Sequence, residues 1–316
     1  MHRYIIRRVL LNVPVLLGVS IIVFSLMRIL PGDVVYSVLG AQAGVSEESL
    51  QRIRRELGLD KPFHEQYFVW VGGMLQGDMG KSLTTGRSVR DELVRRIPIT
   101  AQLAVMSLLL AIVISIPVGI ISATRQDSWS DYFGRLFAIG GLSIPDFWLG
   151  TVALVFLAVY ARYSPPIDYA SPIDDLGKNM ELYLLPTVIL GIRLSATSMR
   201  MTRSTMLEVL RQDYIRTAWS KGLKERAVIY RHALKNAMIP VITILGTQLS
   251  NLLGGTVVIE TIFLIPGIGR LTLEAISSRD YTQVQGNIVF FAVIMITMNL
   301  IVDITYAWFD PRIRYA

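Results

Sequence analysis

Six apolar runs, each long enough to cross a lipid bilayer as a helix, constrain this chain more than any other feature. They lie at 9–29, 100–124, 136–161, 182–199, 237–259 and 288–308. About 20 helical residues cover the hydrocarbon core. In lipid, a lone apolar segment satisfies its backbone polar groups only as a helix. The runs therefore predict an all-α integral membrane protein with six transmembrane helices. Composition agrees: 17% of residues are charged, against about 25% in a soluble domain. There is no cysteine, which excludes disulfides and thiolate metal sites. His2, His64 and His232 are too scattered for a histidine metal site. The first run follows Arg3, Arg7 and Arg8, and it is longer than a secretory core. The nearest small-x-small site, Ala41-Gln42-Ala43, lies well beyond it. We read this run as a retained span.

Lys/Arg counts in the short loops orient the spans. Between Arg200 and Asn236, nine basic residues stand against Glu208, Asp213 and Glu225, a balance of +6 in a chain of net +7. The N-terminal arginines, Arg125 and Arg135, and Arg312 and Arg314 in the tail lie on the same side. The segment 162–181 is net acidic. Both termini and the loop 200–236 are thus expected to face the cytoplasm. Charge confined to membrane loops also argues against nucleic acid as a partner.

The organisation follows: 1–99 holds span one and an external segment, 100–308 the other five spans, and 309–316 a cytoplasmic tail. In the external segment, Ser46 with Glu47 and Glu48 opens a helix that Gly58 closes. A second amphipathic stretch covers 63–75. Together they predict a helical cap, either packed on the bundle or docking a partner. Gly80-Lys81-Ser82 has the ending of a phosphate-binding loop, but Leu75 stands where the pattern needs its first glycine. Gly267-Ile268-Gly269 fails likewise at Thr272. No nucleotide site is read here.

The stretch 213–240, DYIRTAWSKGLKERAVIYRHALKNAMIP, carries two helical stripes. Ile215, Ala218, Trp219 and Gly222 form one; Leu223, Ala227, Tyr230 and Leu234 form the other. Gly222 admits positive φ between them. We expect two short helices meeting at a corner that projects from the membrane.

This stretch resembles the cytoplasmic EAA loop of ATP-binding-cassette (ABC) importer permeases, in particular the dipeptide/oligopeptide/nickel branch. The pattern E-A-A-x3-G-x9-I-x-L-P falls on Arg216, Thr217, Ala218, Gly222, His232, Leu234 and Lys235. Arg replaces its Glu, Lys replaces its Pro, and a proline follows at Pro240. LPGD (30–33), LGLDKP (57–62), QYFVW (66–70), GDMGKS (77–82), SIPDFWLG (143–150), ETIFLIPGIGRL (260–271) and the ending DITYAWFDPRIRY extend the likeness along almost the whole chain. The resemblance implies a type I ABC importer permease fold in a bacterial or archaeal inner membrane. It implies a second permease subunit, two ATPase subunits holding ATP and Mg, and an extracytoplasmic substrate-binding protein. Arg216, Thr217, Ala218, Lys221, Gly222, Leu223 and Lys224 would couple to the ATPases, and the chain itself would carry no ATPase site.

Three further points stand open. The apolar stretch 260–271, with Phe263, Pro266 and Gly267, either packs on the bundle or serves as an outer gate or binding-protein contact. Arg193, about 10 Å along a helix from Pro186, either lines the translocation path or pairs internally. Asp146 and Asp303 read as end caps or structural partners. An ion-coupled secondary transporter is the alternative function, weakened by the scarcity of acids deep in the spans. A membrane enzyme lacks a catalytic set, and a channel lacks a selectivity ring.

Overall fold

The computed structural model describes residues 2–29, 51, 55 and 60–309. The cap helix expected at 46–58 (but for residues 51 and 55), the tail from 310 and the side chain of Asp303 lie outside the described residues. The described residues are mostly helical: α1 (His2–Ile29), α2 (Phe63–Leu75), α3 (Val89–Thr124), α4 (Trp129–Ser143), α5 (Asp146–Tyr160) and α6 (Leu176–Leu210) come first. Then follow α7 (Asp213–Ser220), α8 (Glu225–Ala227), a π-helical segment (Val228–Ala233), α9 (Leu234–Gly255), α10 (Val257–Ile262), α11 (Ile268–Ser277) and α12 (Tyr281–Phe309).

Among the described residues five helices are long and apolar enough to cross a membrane, and six spans result if one bent pair counts as a span. That pair corrects the expectation of a continuous third helix at 136–161. α4 and α5 meet at 94°, because Ile144 is extended (φ −95°, ψ 123°) ahead of Pro145. A residue before proline is disfavoured in the α region by the proline ring. By contrast, α3 runs unbroken through Pro98 and Pro117.

The heart of the bundle is α3 packed along α6. Ser107, Ala111, Ser115 and Gly119 recur every fourth residue on the buried face of α3. Such small residues let helix backbones approach where the hydrophobic effect offers no drive. A Cβ on Gly119 would lie 2.6 Å from Cβ of Thr202, and one on Gly191 2.7 Å from Cδ2 of Leu110. α9 and α12 pack together, and α12 also carries α1. α1 is largely open, exposing Leu10, Leu11, Ile21 and Ile22, as expected of a helix that faces lipid. Its end holds α2: Phe24 is fully buried with its ring 5.1 Å from Phe63 and 5.4 Å from Tyr67. The 63–75 part of the cap therefore packs on this chain, while Phe68 and Val69 stay exposed.

Two apolar cores occupy opposite ends of the α3–α6 pair. One joins Ile99, Leu103, Tyr183 and Leu190 with Phe263 and Ile265. The other joins Ile120, Ala123 and Met206 with Ile215, Ala218, Val228 and Ala233.

Candidate functional site

At the second core the chain forms the expected corner. α7 ends at Ser220, and two residues on, Gly222 has φ +74°. The Leu223 amide donates to the Ala218 carbonyl (3.4 Å) and the Gly222 amide to that of Trp219 (2.9 Å). This backbone closure places a residue in the left-handed region, where glycine carries no Cβ penalty. Asn236 Nδ2 donates to the Tyr214 hydroxyl (2.8 Å), tying the two arms together.

The inner stripe of α7 is as read: Ile215 is fully buried and Ala218 nearly so. Trp219, read into the same stripe, is 46% exposed. On the second arm the stripe differs from the expected one. Leu223 and Tyr230 are exposed, and Val228, Ile229, Ala233 and Ala237 are buried instead. The π-helical turn is the reason. Its i→i+5 hydrogen bonding widens the turn, so a stripe read at 3.6 residues per turn drifts onto the wrong face. Arg216, Thr217, Lys221, Gly222, Leu223 and Lys224 are all exposed, together with Trp219 and Ser220. Of the seven candidate coupling residues, Ala218 alone faces the bundle.

Behind the corner a carboxylate fastens three helices. Asp131 of α4 is fully buried. It accepts from Arg203 Nε (2.7 Å) and Nη2 (2.9 Å) on α6, from Ser122 on α3 and from the Asp127 amide (3.1 Å). Sequence reading missed Asp131, because nothing local to Asp131 announces a partner 72 residues away.

The stretch 260–271 closes the other end. Glu260 is fully buried. Its carboxyl accepts from Thr100 Oγ1 (2.8 Å), Thr256 Oγ1 (2.7 Å) and the Arg270 amide (3.0 Å), and Thr100 in turn accepts from the Ile268 amide (2.9 Å). The two glycines of the false nucleotide lead serve this knot. A Cβ on Gly269 would lie 2.7 Å from Val257 Cα, and one on Gly267 would overlap the Glu260 carboxyl. Phe263 is buried and reaches Gly150 of α5; Gly267 is buried and Pro266 half-buried. The exposed member is Leu264, held at φ +54°.

The other false lead has a comparable use. Ser82 donates to Asp280 (2.5 Å), which also accepts from Thr84 Oγ1 (2.8 Å) and the Leu83 and Gln283 amides (3.1 Å each). Burial alone would raise the Asp280 pKa. The Ser82, Gln283, Leu83 and Thr84 hydrogen bonds outweigh burial and leave it below the ordinary aspartate value.

Arg193 pairs with Asp146 at the start of α5. The pair is not sealed in: the Arg193 side chain is 60% exposed. It lines a cleft of about 800 Å³ with Thr197 of α6 and Thr247, Gln248 and Asn251 of α9. A second cleft, of about 730 Å³, shares Leu142, Thr197 and Ile244 with the first and continues to Arg135, Arg200 and Arg203. Through those shared residues the two form one groove between α4, α6 and α9, mostly apolar with arginines set along it. Among the described residues no cluster of His, Asp and Glu has metal-site geometry.

The comparisons with known proteins fit this arrangement. Residues 115–315 match the family described as "Binding-protein-dependent transport system inner membrane component", and residues 1–104 match its N-terminal companion. The chain is 40% identical to a dipeptide transport system permease protein, DppB, of Alkalihalophilus pseudofirmus, with both chains covered in full. It is 39% identical to an oligopeptide transport system permease protein, AppB, of Bacillus subtilis, again with both covered in full. A solved structure of inward-facing MetNI methionine ABC transporter superposes with a TM-score of 0.54 at 17% identity, covering 69% of this chain and 96% of that one. At that identity the likeness shows the fold. The ion-coupled alternative finds no support among these relatives. With its apolar helices, its closed turn and its charged elbow, the chain belongs to the binding-protein-dependent transport system inner membrane component family, and is a multi-pass inner-membrane permease of the ABC importer class.

Proposed function

We propose that this chain is one of two permease subunits of an importer of short peptides, driven by two separate ATPase subunits through the elbow at 213–240. The observation that carries the coupling is the split character of that elbow. Ile215, Ala218, Val228 and Ala233 are buried on the ends of α3 and α6, while Arg216, Thr217, Trp219, Lys221, Gly222, Leu223 and Lys224 point outward. A body pressing on the outer face moves the two central helices with it, by rigid-body rocking. ATP and Mg belong to the partner subunits. The basic balance of 200–236 supports a cytoplasmic elbow and cytoplasmic termini, with the Glu260 turn outside, facing a substrate-binding protein. There Phe263 and Gly267 shape the outer gate from beneath, with Pro266 and Leu264 at its surface. The groove through Arg193 is the translocation path, and the names of the relatives point to peptides as cargo.

The test is uptake into proteoliposomes holding both permeases, both ATPases and the binding protein. Peptide uptake should require ATP. Gly222→Pro, or reversal of Lys221 and Lys224 to Glu, should leave the chain inserted and separate ATP hydrolysis from uptake. Uptake undiminished without ATP, or unchanged in these variants, overturns the assignment.

A further inference from the structure

One stripe of α6 differs from the rest of that helix. Its neighbours Ser195, Ala196, Ser198, Met199 and Thr202 are buried. Arg193, Arg200 and Ser204 are exposed and Thr197 half-buried. These four fall at i, i+4, i+7 and i+11, a single helical face, and all line the continuous groove. Arg193 and Arg200 thus stand about 10 Å apart along the axis. Four arginines line this groove, Arg135 and Arg203 being the others, against one lining acid, Asp146. Asp131, which pairs with Arg203, is fully buried beneath them and presents no charge to the groove. Arg200 makes no ion pair among the described residues. Arg193 lies within the apolar run 182–199, where an ionisable group marks a pathway more often than a packing site, and Arg200 stands just past the cytoplasmic end of that run.

From this geometry we infer that Arg193 and Arg200 form an anion track that takes the free carboxylate of the transported molecule, with Asp146 holding Arg193 until the carboxylate replaces it. The inference rests on the groove being the translocation path. Guanidinium groups suit it because each offers a planar fork matching two carboxylate oxygens. Substrates with a free C-terminal carboxylate are favoured over their amides at this step. Asp146 does two things: it keeps Arg193 paired in the empty groove, and it sets the threshold a carboxylate must exceed.

The chain contains no cysteine, so Thr197→Cys gives it one thiol between the two arginines. In the assembled transporter, the rates at which a sulfonate-bearing and a trimethylammonium-bearing methanethiosulfonate modify that single thiol are compared by mass of this chain. The anionic reagent should be preferred. Arg193→Gln and Arg200→Gln should each lower the preference, on the order of tenfold for a charge at about 8 Å in a partly solvated groove. Arg193→Lys should retain it, and Asp146→Asn should raise it. A role confined to packing cannot move Asp146→Asn and Arg193→Gln in opposite directions. If Arg193→Gln fails to insert, the exposed Arg200→Gln carries the test. Trialanine should slow modification more than trialanine amide does, and equally to it once both arginines are glutamine. Equal reagent preference in all variants, equal protection by the two peptides, or no modification in any nucleotide state overturns the track. Loss of ATP-dependent uptake by the unaltered transporter would instead fault the importer reading, since the modification needs no ATP.

Discussion

At Gly222 an added methyl group would meet nothing within 4 Å, whereas at Gly269 it would sit 2.7 Å from the backbone of Val257. These glycines mark the two chain reversals that close opposite ends of the α3–α6 pair. The Glu260 turn is knotted from within. A buried carboxyl, two threonine hydroxyls and two backbone amides satisfy one another with no room to spare. The Gly222 elbow keeps only an apolar underside against the bundle and leaves its basic outer face uncovered. Both are helix–turn–helix corners ending in glycine-bearing turns, so local backbone chemistry does not separate them. What separates them is where the polar groups find partners. A turn whose hydrogen bonds are internal is a rigid part of the bundle. A corner whose basic outer face stays exposed is a surface for another body.

The largest expected effect tests the knot. Glu260→Ala leaves two hydroxyls and an amide without their acceptor, at roughly 3 kcal/mol or more. It should lower the melting temperature of the assembled permease far more than Lys224→Ala at the elbow does. Equal losses would erase the contrast. Next comes alanine at each turn. Gly267→Ala forces a methyl onto the Glu260 carboxyl and should cost about 1–3 kcal/mol through overpacking. Gly222→Ala meets open space and carries only the left-handed backbone penalty, about 1–2 kcal/mol. Melting curves for the pair should rank in that order; the reverse order would mean the elbow is the tighter turn.

The smallest effect sharpens the comparison by pH. Asp280 fastens the 82–84 loop on the same side as the Glu260 turn, and its folded-state pKa lies below the ordinary aspartate value. A depressed carboxyl contributes stability that is complete above its unfolded pKa, about 3.9, and is lost as pH falls through the lower folded value. Stability measured downward from about pH 5 should fall more steeply in the unaltered chain than in Asp280→Asn. Parallel curves would show that Asp280 carries no such linkage.

Much of the architecture was legible in the residues because its causes are local. The apolar runs, the elbow with positive φ at Gly222 and the 63–75 helix all follow from hydropathy, periodicity and glycine chemistry. The break at Ile144-Pro145 was legible too, since a residue before proline leaves the α region, but the length of the apolar run concealed it. The π-helical turn was not: a 3.6-residue reading put Leu223 and Tyr230 inward, where Val228 and Ala233 lie.

The sequence by itself determined that this is a helical membrane protein with one strongly basic corner, because bilayer thickness and backbone hydrogen bonding leave an apolar chain no other form. Only the tertiary structure decided what its buried charges do. Asp131 finds Arg203, Glu260 finds Thr100 and Asp280 finds Ser82 across separations of 72, 160 and 198 residues. A carboxylate's partner is fixed by which segments the fold brings together rather than by anything adjacent to the charge.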